Sequence, residues 1–336
     1  MKKQHFFILF VSFLFFSFDF FEENSFFLPK HFPKPNYDFA KNPLTLEKIE
    51  LGRALFYDPI LSRNNMVSCA NCHSQYSAFT HIDHALSHGI EDRIGTRNSL
   101  ALMNLAWQKS FMWDGAINHL DMQSLAPITH ANEMGETFEN VISKLQNSKK
   151  YPARFQRAFG DSIVTGEHTL KAISQFMLTL VSATSKYDSV LQKQAFFNEK
   201  ERNGYILFQK NCNSCHQEPL FSNLGFENNG LKIDTSLRDL GRMKITNNPN
   251  DAQKFKVPTL RNIEFSYPYM HDGRFKRLSE VLKHYTSGIE KSPTLAPQLV
   301  QPIVLTSNEK VDLIAFLLTL TDKPFLFDKR FGYQGN

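Results

Sequence analysis

The sequence has neither a large excess of charge of one sign nor many long hydrophobic runs. Its 336 residues include 38 basic and 33 acidic side chains, a formal net charge of +5. No cluster of lysine and arginine is interleaved with aromatic residues, so the charge pattern excludes a typical nucleic-acid-binding protein. A mildly basic face remains compatible with an acidic protein partner. Hydrophobic residues make up 42% and charged residues 21%, which indicates a globular chain long enough for two domains.

One apolar run near the N-terminus is the exception. Lys2 and Lys3 precede an apolar stretch from Phe6 to Phe18, and acidic residues follow it. The stretch is too short to cross a bilayer comfortably, so residues 1–24 are predicted to be a secretory signal peptide. No Ala-x-Ala cleavage site is visible, so an uncleaved N-terminal membrane anchor is the alternative. Both interpretations place the mature chain in the periplasm.

Cysteine is also scarce, with four in the whole chain. These four and two histidines form two copies of the pattern Cys-x-x-Cys-His, namely Cys69, Cys72 and His73, and then Cys212, Cys215 and His216. The pattern is typical of c-type haem attachment, in which two thiols add to the porphyrin vinyl groups and the adjacent histidine binds iron. Two copies in an exported chain favour two covalently bound haem c groups. Two disulfides, a zinc site and a redox dithiol are the alternatives.

A repeated motif divides the chain in two. Gly-x-x-Leu-Phe begins at Gly52, ahead of the first haem pattern, and again at Gly204, ahead of the second. Such an internal repeat indicates two units of one fold. We predict an N-terminal haem domain over residues 25–190 and a C-terminal haem domain over residues 191–336. The break between them is expected within residues 188–198.

Helical signals outnumber strand signals along the chain. Asn198 with Glu201, and Thr306 with Glu309, form capping-box patterns that predict the starts of two helices. The fold class predicted is mainly α, with two cytochrome c-like haem domains packed together and long loops. Long loops are expected around a large planar cofactor, because the cofactor supplies core that the chain would otherwise need to provide.

Six motifs in a fixed order carry a family resemblance. They are Leu51–Pro59, Gly95–Ser99, Trp113–Gly115, Asn132–Met134, Val257–Asn262 and Pro268–Gly273. By these motifs the chain resembles the bacterial di-haem cytochrome c peroxidase/MauG family, in its tyrosine-ligated branch. The resemblance covers about residues 40–325, and several motifs in one order are much more specific than any one of them.

The resemblance implies that the N-terminal domain is the peroxidatic haem domain and the C-terminal domain the electron-transfer haem domain, and it implies roles for residues of the first haem site. His73 is implied as the proximal iron ligand, Glu133 as the distal acid–base carboxylate and Gln123 as its amide neighbour. Trp113 is implied to lie between the haems, where an aromatic ring could assist electron transfer. A carboxylate can move the proton that peroxide loses and regains, provided that apolar surroundings raise its pKa. From the sequence alone, Glu133 could instead be a surface residue and Trp113 a core residue.

The resemblance also implies the ligands of the second haem. His216 is the proximal ligand, and Tyr285 is the ligand on the opposite face, with Met270 as the alternative. A phenolate favours ferric iron and lowers the reduction potential, whereas a methionine thioether raises it. A low-potential second haem would accept electrons poorly from a typical high-potential cytochrome c, which puts the usual donor in doubt.

Two further metal sites are implied by the resemblance alone. His88 matches a removable distal ligand of the first haem, and a solvated loop histidine is the alternative. A calcium ion between the haems would be bound by the side-chain oxygen of Asn98. The backbone carbonyls of Ser266 and Pro268 would complete the protein ligands, with water in the remaining positions.

Three functions are compatible with these residues. The expected function is the reduction of hydrogen peroxide to water, with electrons from a small redox protein such as a cytochrome c or a cupredoxin. A MauG-like enzyme that oxidises side chains of a partner protein is the first alternative. A non-catalytic two-haem electron carrier is the second, although such a carrier would have no use for Glu133 and Gln123. Assembly into a homodimer is left open.

Overall fold

The structure, a computed structural model, describes residues 26–81 and 84–334. The predicted signal peptide over residues 1–24 lies outside the described residues. Within the described ranges the fold is mainly helical, which confirms the predicted fold class. In the same ranges, no helix combines the length and the apolarity that a membrane span requires.

Twelve α-helices and two short strands form the framework of the described residues. The helices are α1 (Leu46–Tyr57), α2 (Cys69–Cys72), α3 (Leu125–Thr129), α4 (Phe138–Gln146), α5 (Tyr151–Phe159), α6 (Gly166–Thr179), α7 (Lys186–Leu191), α8 (Glu199–Asn211), α9 (Met243–Thr246), α10 (Leu278–Lys283), α11 (Ser307–Leu318) and α12 (Lys323–Leu326). Strands β1 (Phe226–Glu227) and β2 (Phe255–Lys256) pair in antiparallel orientation. A π-helical turn over His284–Gly288 continues α10, and short 3-10 turns occur in many loops.

Helices α1 and α6 cross in close contact in the first half of the chain. Gly52 lies at the crossing, where a Cβ atom would stand 1.8 Å from the carbonyl oxygen of Ala172. One turn further along, the buried rings of Phe56 and Phe176 lie 5.1 Å apart. Only glycine lets the two backbones approach this closely.

Helices α8 and α11 repeat this crossing in the second half. A Cβ atom at Gly204 would stand 1.9 Å from the carbonyl oxygen of Asp312. The buried rings of Phe208 and Phe316 again lie 5.1 Å apart. Both copies of the Gly-x-x-Leu-Phe motif therefore occupy the same environment, and the duplication seen in the sequence corresponds to a duplicated helix pair.

Gly204→Ala is expected to lower the free energy of unfolding by about 1–3 kcal/mol, because the added methyl group overpacks the α8–α11 crossing. Chemical denaturation of the holoprotein, followed by helical circular dichroism, measures the change. Gly332→Ala is the matched control, since a Cβ atom at Gly332 would meet no neighbour closer than 3.4 Å. Equal denaturation midpoints for the two variants would contradict this explanation of Gly204.

Each half has its own apolar core, and the C-terminal segment joins the core of the first half. Phe325 and Phe331 pack against Phe79 of the first core, with ring centroids 5.8 and 6.4 Å apart. Tyr187 belongs to the second core. The chain therefore returns to its first half after completing the second. The domain boundary at residues 190 and 191 stays a prediction.

A buried ion pair ties the N-terminal segment to both halves. The guanidinium of Arg261 donates to both carboxylate oxygens of Asp188, at 2.8 and 2.9 Å, and both side chains are fully buried. The Nε2 atom of His31 lies 2.7 Å from the same carboxylate. Loss of one partner would leave a buried charge uncompensated, which is strongly destabilising. The pair therefore helps to fix how the two halves meet.

Candidate functional site

The first Cys-x-x-Cys-His pattern forms helix α2 and its C-terminal cap. At the start of the helix, the backbone N–H and the hydroxyl of Ser68 both donate to Asn71 Oδ1 at 2.8 Å. At its end, His73 Nδ1 lies 2.8 Å from the carbonyl oxygen of Phe79. This contact makes Nδ1 the donor and leaves Nε2 for a metal. Burial lowers the pKa of His73 to about 4, so the ring is neutral, as a ligand must be.

The second pattern follows α8 and has the same construction. His216 Nδ1 lies 3.2 Å from the carbonyl oxygens of both Phe221 and Pro258, and burial lowers the pKa of this histidine. Cys212 and Cys215 have free thiols, as do the two cysteines of the first pattern. Each pattern therefore presents two thiols and one neutral imidazole nitrogen. This donor set fits haem c and does not fit the two-disulfide alternative.

A pocket opens beside the first pattern. Its walls are mainly apolar and include Phe56 and Leu102, while Gln123, Ser124 and Glu133 supply polar groups. The buried hydroxyl of Ser124 has no hydrogen-bond partner among the described residues. An unsatisfied buried hydroxyl indicates a place where another molecule binds. The cavity therefore fits a bound group with a largely apolar body and a polar distal side.

Glu133 lies in this cavity near the attachment helix. Its side chain is 36% exposed, and burial raises the pKa of its carboxyl group, against a smaller lowering by His130. Burial raises the pKa of the Cys72 thiol to about 11, and the Glu133 carboxylate adds a smaller effect in the same direction, so the two groups are close. A carboxyl group with a raised pKa can exchange a proton closer to neutral pH. Gln123 lines the same cavity and donates through Nε2 to Met112 Sδ at 3.8 Å.

Gly89 holds the loop that carries Glu133, a role that the sequence analysis missed. A Cβ atom at Gly89 would stand 2.1 Å from the carbonyl oxygen of Asn132 and 2.4 Å from that of Glu133. The next residue, Ile90, donates its backbone N–H to the Glu133 carbonyl at 2.7 Å. The two backbones are therefore in direct contact. A single glycine in a loop gives no indication of which distant segment it packs against.

The His88 imidazole is directed toward Asp92 and not into the cavity. His88 Nδ1 lies 2.6 Å from Asp92 Oδ1, and its ring centroid lies 4.2 Å from that of His84. The backbone carbonyl of His88 accepts a hydrogen bond from the Cys72 thiol at 3.5 Å. His88 is thus a neighbour of the first site, and its role as an iron ligand stays a prediction.

Trp113 lies at the junction of the two halves. Its Nε1 donates to the carbonyl oxygen of Asn98 at 2.8 Å, and its own carbonyl accepts from the backbone N–H of Lys256 at 2.7 Å. Its ring makes an edge contact with His271 at 6.4 Å, and His271 stacks on Phe255 at 3.6 Å. Trp113 therefore contacts both halves. This location is compatible with both predictions for Trp113, a residue between the haems and a core residue.

Asn98, one of the three residues predicted to bind calcium, belongs to the same junction. The side-chain amide of Asn98 donates to the carbonyl oxygen of Ala85 at 3.0 Å. The backbone N–H of Asn98 donates to the carbonyl oxygen of His271 at 2.7 Å. The amide oxygen is the atom that a calcium ion would take. Ser266 is half-buried and Pro268 is buried in the loop before Met270. The calcium ion itself stays a prediction.

The two alternatives for the second haem ligand meet at Asn229. Burial raises the pKa of Tyr285 to about 12, and the Asn229 side chain acts on the same hydroxyl in the opposite direction, as a nearby donor does. The thiols of Cys212 and Cys215 also act electrostatically on this hydroxyl, so the phenol faces the second attachment site. The sulphur of Met270 accepts a hydrogen bond from Asn229 Nδ2 at 3.4 Å. The structure brings Tyr285 and Met270 together, and the choice between them stays a prediction.

Both of these side chains project from unusual backbone. Tyr285 lies in the π-helical turn His284–Gly288, and such turns occur frequently at functional sites. Met270 has φ +77, in the left-handed region that favours glycine. Strained backbone of this kind persists only where the surrounding structure enforces it.

Comparisons with known proteins agree with this geometry. The family model for di-haem cytochrome c peroxidase matches residues 46–195. The methylamine utilization protein MauG of Methylorubrum extorquens is 36% identical over 308 residues, which cover 88% of this chain and 83% of that protein. Cytochrome c551 peroxidase of Nitrosomonas europaea is 34% identical over 292 residues, covering 85% and 83%.

Solved structures give the same result. A MauG-like protein associated with microbial copper homeostasis matches with a TM-score of 0.82 and 32% identity, over 91% of this chain and 97% of that one. The diheme peroxidase BthA of Burkholderia thailandensis matches with a TM-score of 0.74 and 20% identity, over 87% and 90%, which shows a shared fold. The relatives carry both the MauG and the peroxidase name. The chain belongs to the di-haem cytochrome c peroxidase family of oxidoreductases and carries two covalently bound haem c groups.

Proposed function

We propose that this protein reduces hydrogen peroxide to water with electrons from a small redox protein. The observation that carries the proposal is the half-buried Glu133, whose pKa is raised, in the cavity beside His73. The reaction takes one peroxide molecule, two electrons and two protons and yields two water molecules. A protein that only carried electrons would not need a proton-exchanging carboxyl group at this place.

Four thiols and two imidazoles hold the haem groups in this proposal. Cys69 and Cys72 would hold the first haem and Cys212 and Cys215 the second, while the Nε2 atoms of His73 and His216 would bind the irons. The carbonyl contacts at Nδ1 orient both rings. Haem c is attached outside the bacterial cytoplasm, so we also propose that the protein works in the periplasm.

The residues of the first cavity manage protons and orientation. When bound, the haem supplies the electrons that cleave the peroxide O–O bond. The Glu133 carboxylate takes a proton from one peroxide oxygen and returns it to the other, which leaves as water. The Gln123 amide and the Ser124 hydroxyl orient peroxide through hydrogen bonds. Apolar walls such as Phe56 and Leu102 limit the access of bulk water, which strengthens these contacts.

Trp113 conducts electrons between the halves in this proposal. Its location supports the role, because its indole nitrogen and its carbonyl contact residues of different halves. Electrons would enter through the C-terminal half, which would hold the second haem, and would be used to reduce peroxide in the N-terminal half. A calcium ion at Asn98 would act on the same junction, because the backbone carbonyl of Asn98 accepts the hydrogen bond from the Trp113 indole.

Steady-state oxidation of a reduced cytochrome c or a reduced cupredoxin by hydrogen peroxide tests the proposal. We expect oxidation that depends on both peroxide and the di-haem protein. If the donor is oxidised at the same rate without peroxide, the protein is an electron carrier. If peroxide is consumed although neither the cytochrome c nor the cupredoxin is oxidised, the electrons come from another source.

A MauG-like oxidation of partner side chains is the second candidate, and Tyr285 is the observation that favours it. A tyrosine ligand lowers the potential of the second haem, which disfavours electron uptake from common donors. In this case the electrons would come from side chains of a partner protein. This candidate would be favoured if peroxide oxidises no small donor protein and if the absorption spectrum of the oxidised haems persists for a long time after peroxide is added.

Gly89→Ala is expected to slow peroxide turnover by about ten- to hundredfold, because the new methyl group must displace the backbone of Glu133. Gly332→Ala is the matched control, since it lies outside this loop and a Cβ atom there would meet no neighbour closer than 3.4 Å. Haem content and turnover are measured for both variants. A fully loaded Gly89→Ala protein with normal turnover would show that the loop position is not critical.

A further inference from the structure

Asn229 is a neutral side chain whose hydrogen-bond donors face both candidate ligands of the second site. Its Nδ2 atom donates to the Met270 sulphur at 3.4 Å, and the same side chain lies close enough to the Tyr285 hydroxyl to lower its pKa against the larger effect of burial. A side-chain amide nitrogen carries two hydrogens, so one can serve each acceptor. In the sequence, Asn229 and Gly230 indicate only a loop, and none of the family motifs includes this residue.

The orientation of the amide is determined by its other end. Asn229 Oδ1 accepts the backbone N–H of Leu231 at 3.3 Å. A flipped amide would place its NH₂ group against that N–H, with two donors facing each other, so the nitrogen must face Met270 and Tyr285. The backbone carbonyl of Asn229 also lies 3.0 Å from His284 Nε2, next to Tyr285 in the chain.

The loop around Asn229 is held firmly against the segment that follows the π-helical turn. The side-chain nitrogen of Asn228 donates to the hydroxyls of Ser292 and Thr294, at 3.0 and 2.8 Å. Gly230 has φ +69, and a Cβ atom there would stand 2.5 Å from a neighbouring side chain. The amide of Asn229 is therefore preorganised before any ligand binds.

We propose that Asn229 selects the ligand of the second haem, by holding the Met270 sulphur aside with one N–H and orienting the Tyr285 oxygen with the other. The inference rests on the proposed assignment of Tyr285 as ligand. A hydrogen bond to the thioether occupies a lone pair that a metal would otherwise use. Asn229 is thus a positioning residue, which acts through Tyr285 and Met270.

Asn229→Leu tests this role, because leucine has a similar size and no donor. We expect the ratio of methionine-ligated to tyrosine-ligated protein to rise by about two- to tenfold, the effect of losing one hydrogen bond. The readouts are the ligand-to-iron absorbance bands of the oxidised holoprotein and the reduction potential of the second haem, which should rise. An unchanged spectrum and potential would overturn the proposal.

Two further variants separate selection from simple disruption. Adding Met270→Leu to Asn229→Leu removes the competing sulphur, so the tyrosine-ligated spectrum should return. If the double variant stays altered, Asn229 serves only to keep the site folded and the proposal falls. Tyr285→Phe must itself change the spectrum of the second haem. If it does not, the assignment of Tyr285 and the role of Asn229 fail together, while peroxide turnover by the unaltered protein still tests the proposed function.

Discussion

Glu133→Gln should slow peroxide turnover by about a hundredfold or more, because glutamine can neither accept nor return the transferred proton. The substitution keeps the size and polarity of the side chain, and Gln123 and Ser124 remain to hold peroxide. The loss should therefore appear in kcat more than in KM. Stopped-flow measurement of peroxide consumption, with reduced donor in excess, gives both quantities.

The pH profile of the unaltered protein should report the same carboxyl group. Burial raises the pKa of Glu133, and the unprotonated form is the one that takes a proton from peroxide. Turnover should therefore fall as the pH drops through this raised pKa, at a higher pH than an ordinary surface carboxyl would give. The acidic limb of the profile should be missing in Glu133→Gln.

Glu139→Gln is the matched control for this experiment. Glu139 lies in the first turn of α4, exposed to solvent, and takes no part in the cavity. Its replacement should leave turnover and the pH profile unchanged. A Glu133→Gln protein that carries both haems and turns over peroxide at the normal rate would remove Glu133 from the mechanism.

Tyr285→Met should raise the reduction potential of the second haem by on the order of 0.1–0.3 V, a part of the ~0.8 V range that axial ligands cover. A thioether stabilises the ferrous state, whereas a phenolate stabilises the ferric state. The variant should also accept electrons faster from a high-potential cytochrome c. Spectroelectrochemical titration of the second haem and steady-state donor oxidation measure the two effects.

Tyr333→Phe is the matched control for the ligand exchange, since Tyr333 is 63% exposed near the C-terminus. It should leave the potential of the second haem unchanged. If Tyr285→Met also leaves the potential unchanged, the phenol does not bind the iron. Met270→Leu should then lower the potential, because Met270 is the remaining alternative.

Local patterns explain why the cofactor and the internal duplication could be predicted. The spacing of Cys69, Cys72 and His73 is set by the chemistry of one haem edge, so it is readable within five residues. Gly52 and Gly204 repeat because each lies where two helix backbones touch. Both signals are contained in short segments, and the duplication makes each of them more specific.

Contacts between distant loops explain what the sequence did not reveal. Gly89 acts on the backbone of Glu133, and Asn229 acts on Met270 and Tyr285, in each case across a long stretch of chain. Periodicity predicts which face of a helix is buried, but it says nothing about which loop meets which. The return of Phe325 to the first core is another non-local contact that no pattern predicted.

Low-temperature electron paramagnetic resonance of the oxidised protein, before and after addition of cyanide, tests most directly whether one iron is open to peroxide beside Glu133. We expect one high-spin ferric signal that cyanide converts to low spin, from the haem bound through His73. The second haem should give a low-spin signal that cyanide leaves unchanged. Two low-spin signals, neither of which responds to cyanide, would contradict a peroxide site and favour an electron carrier.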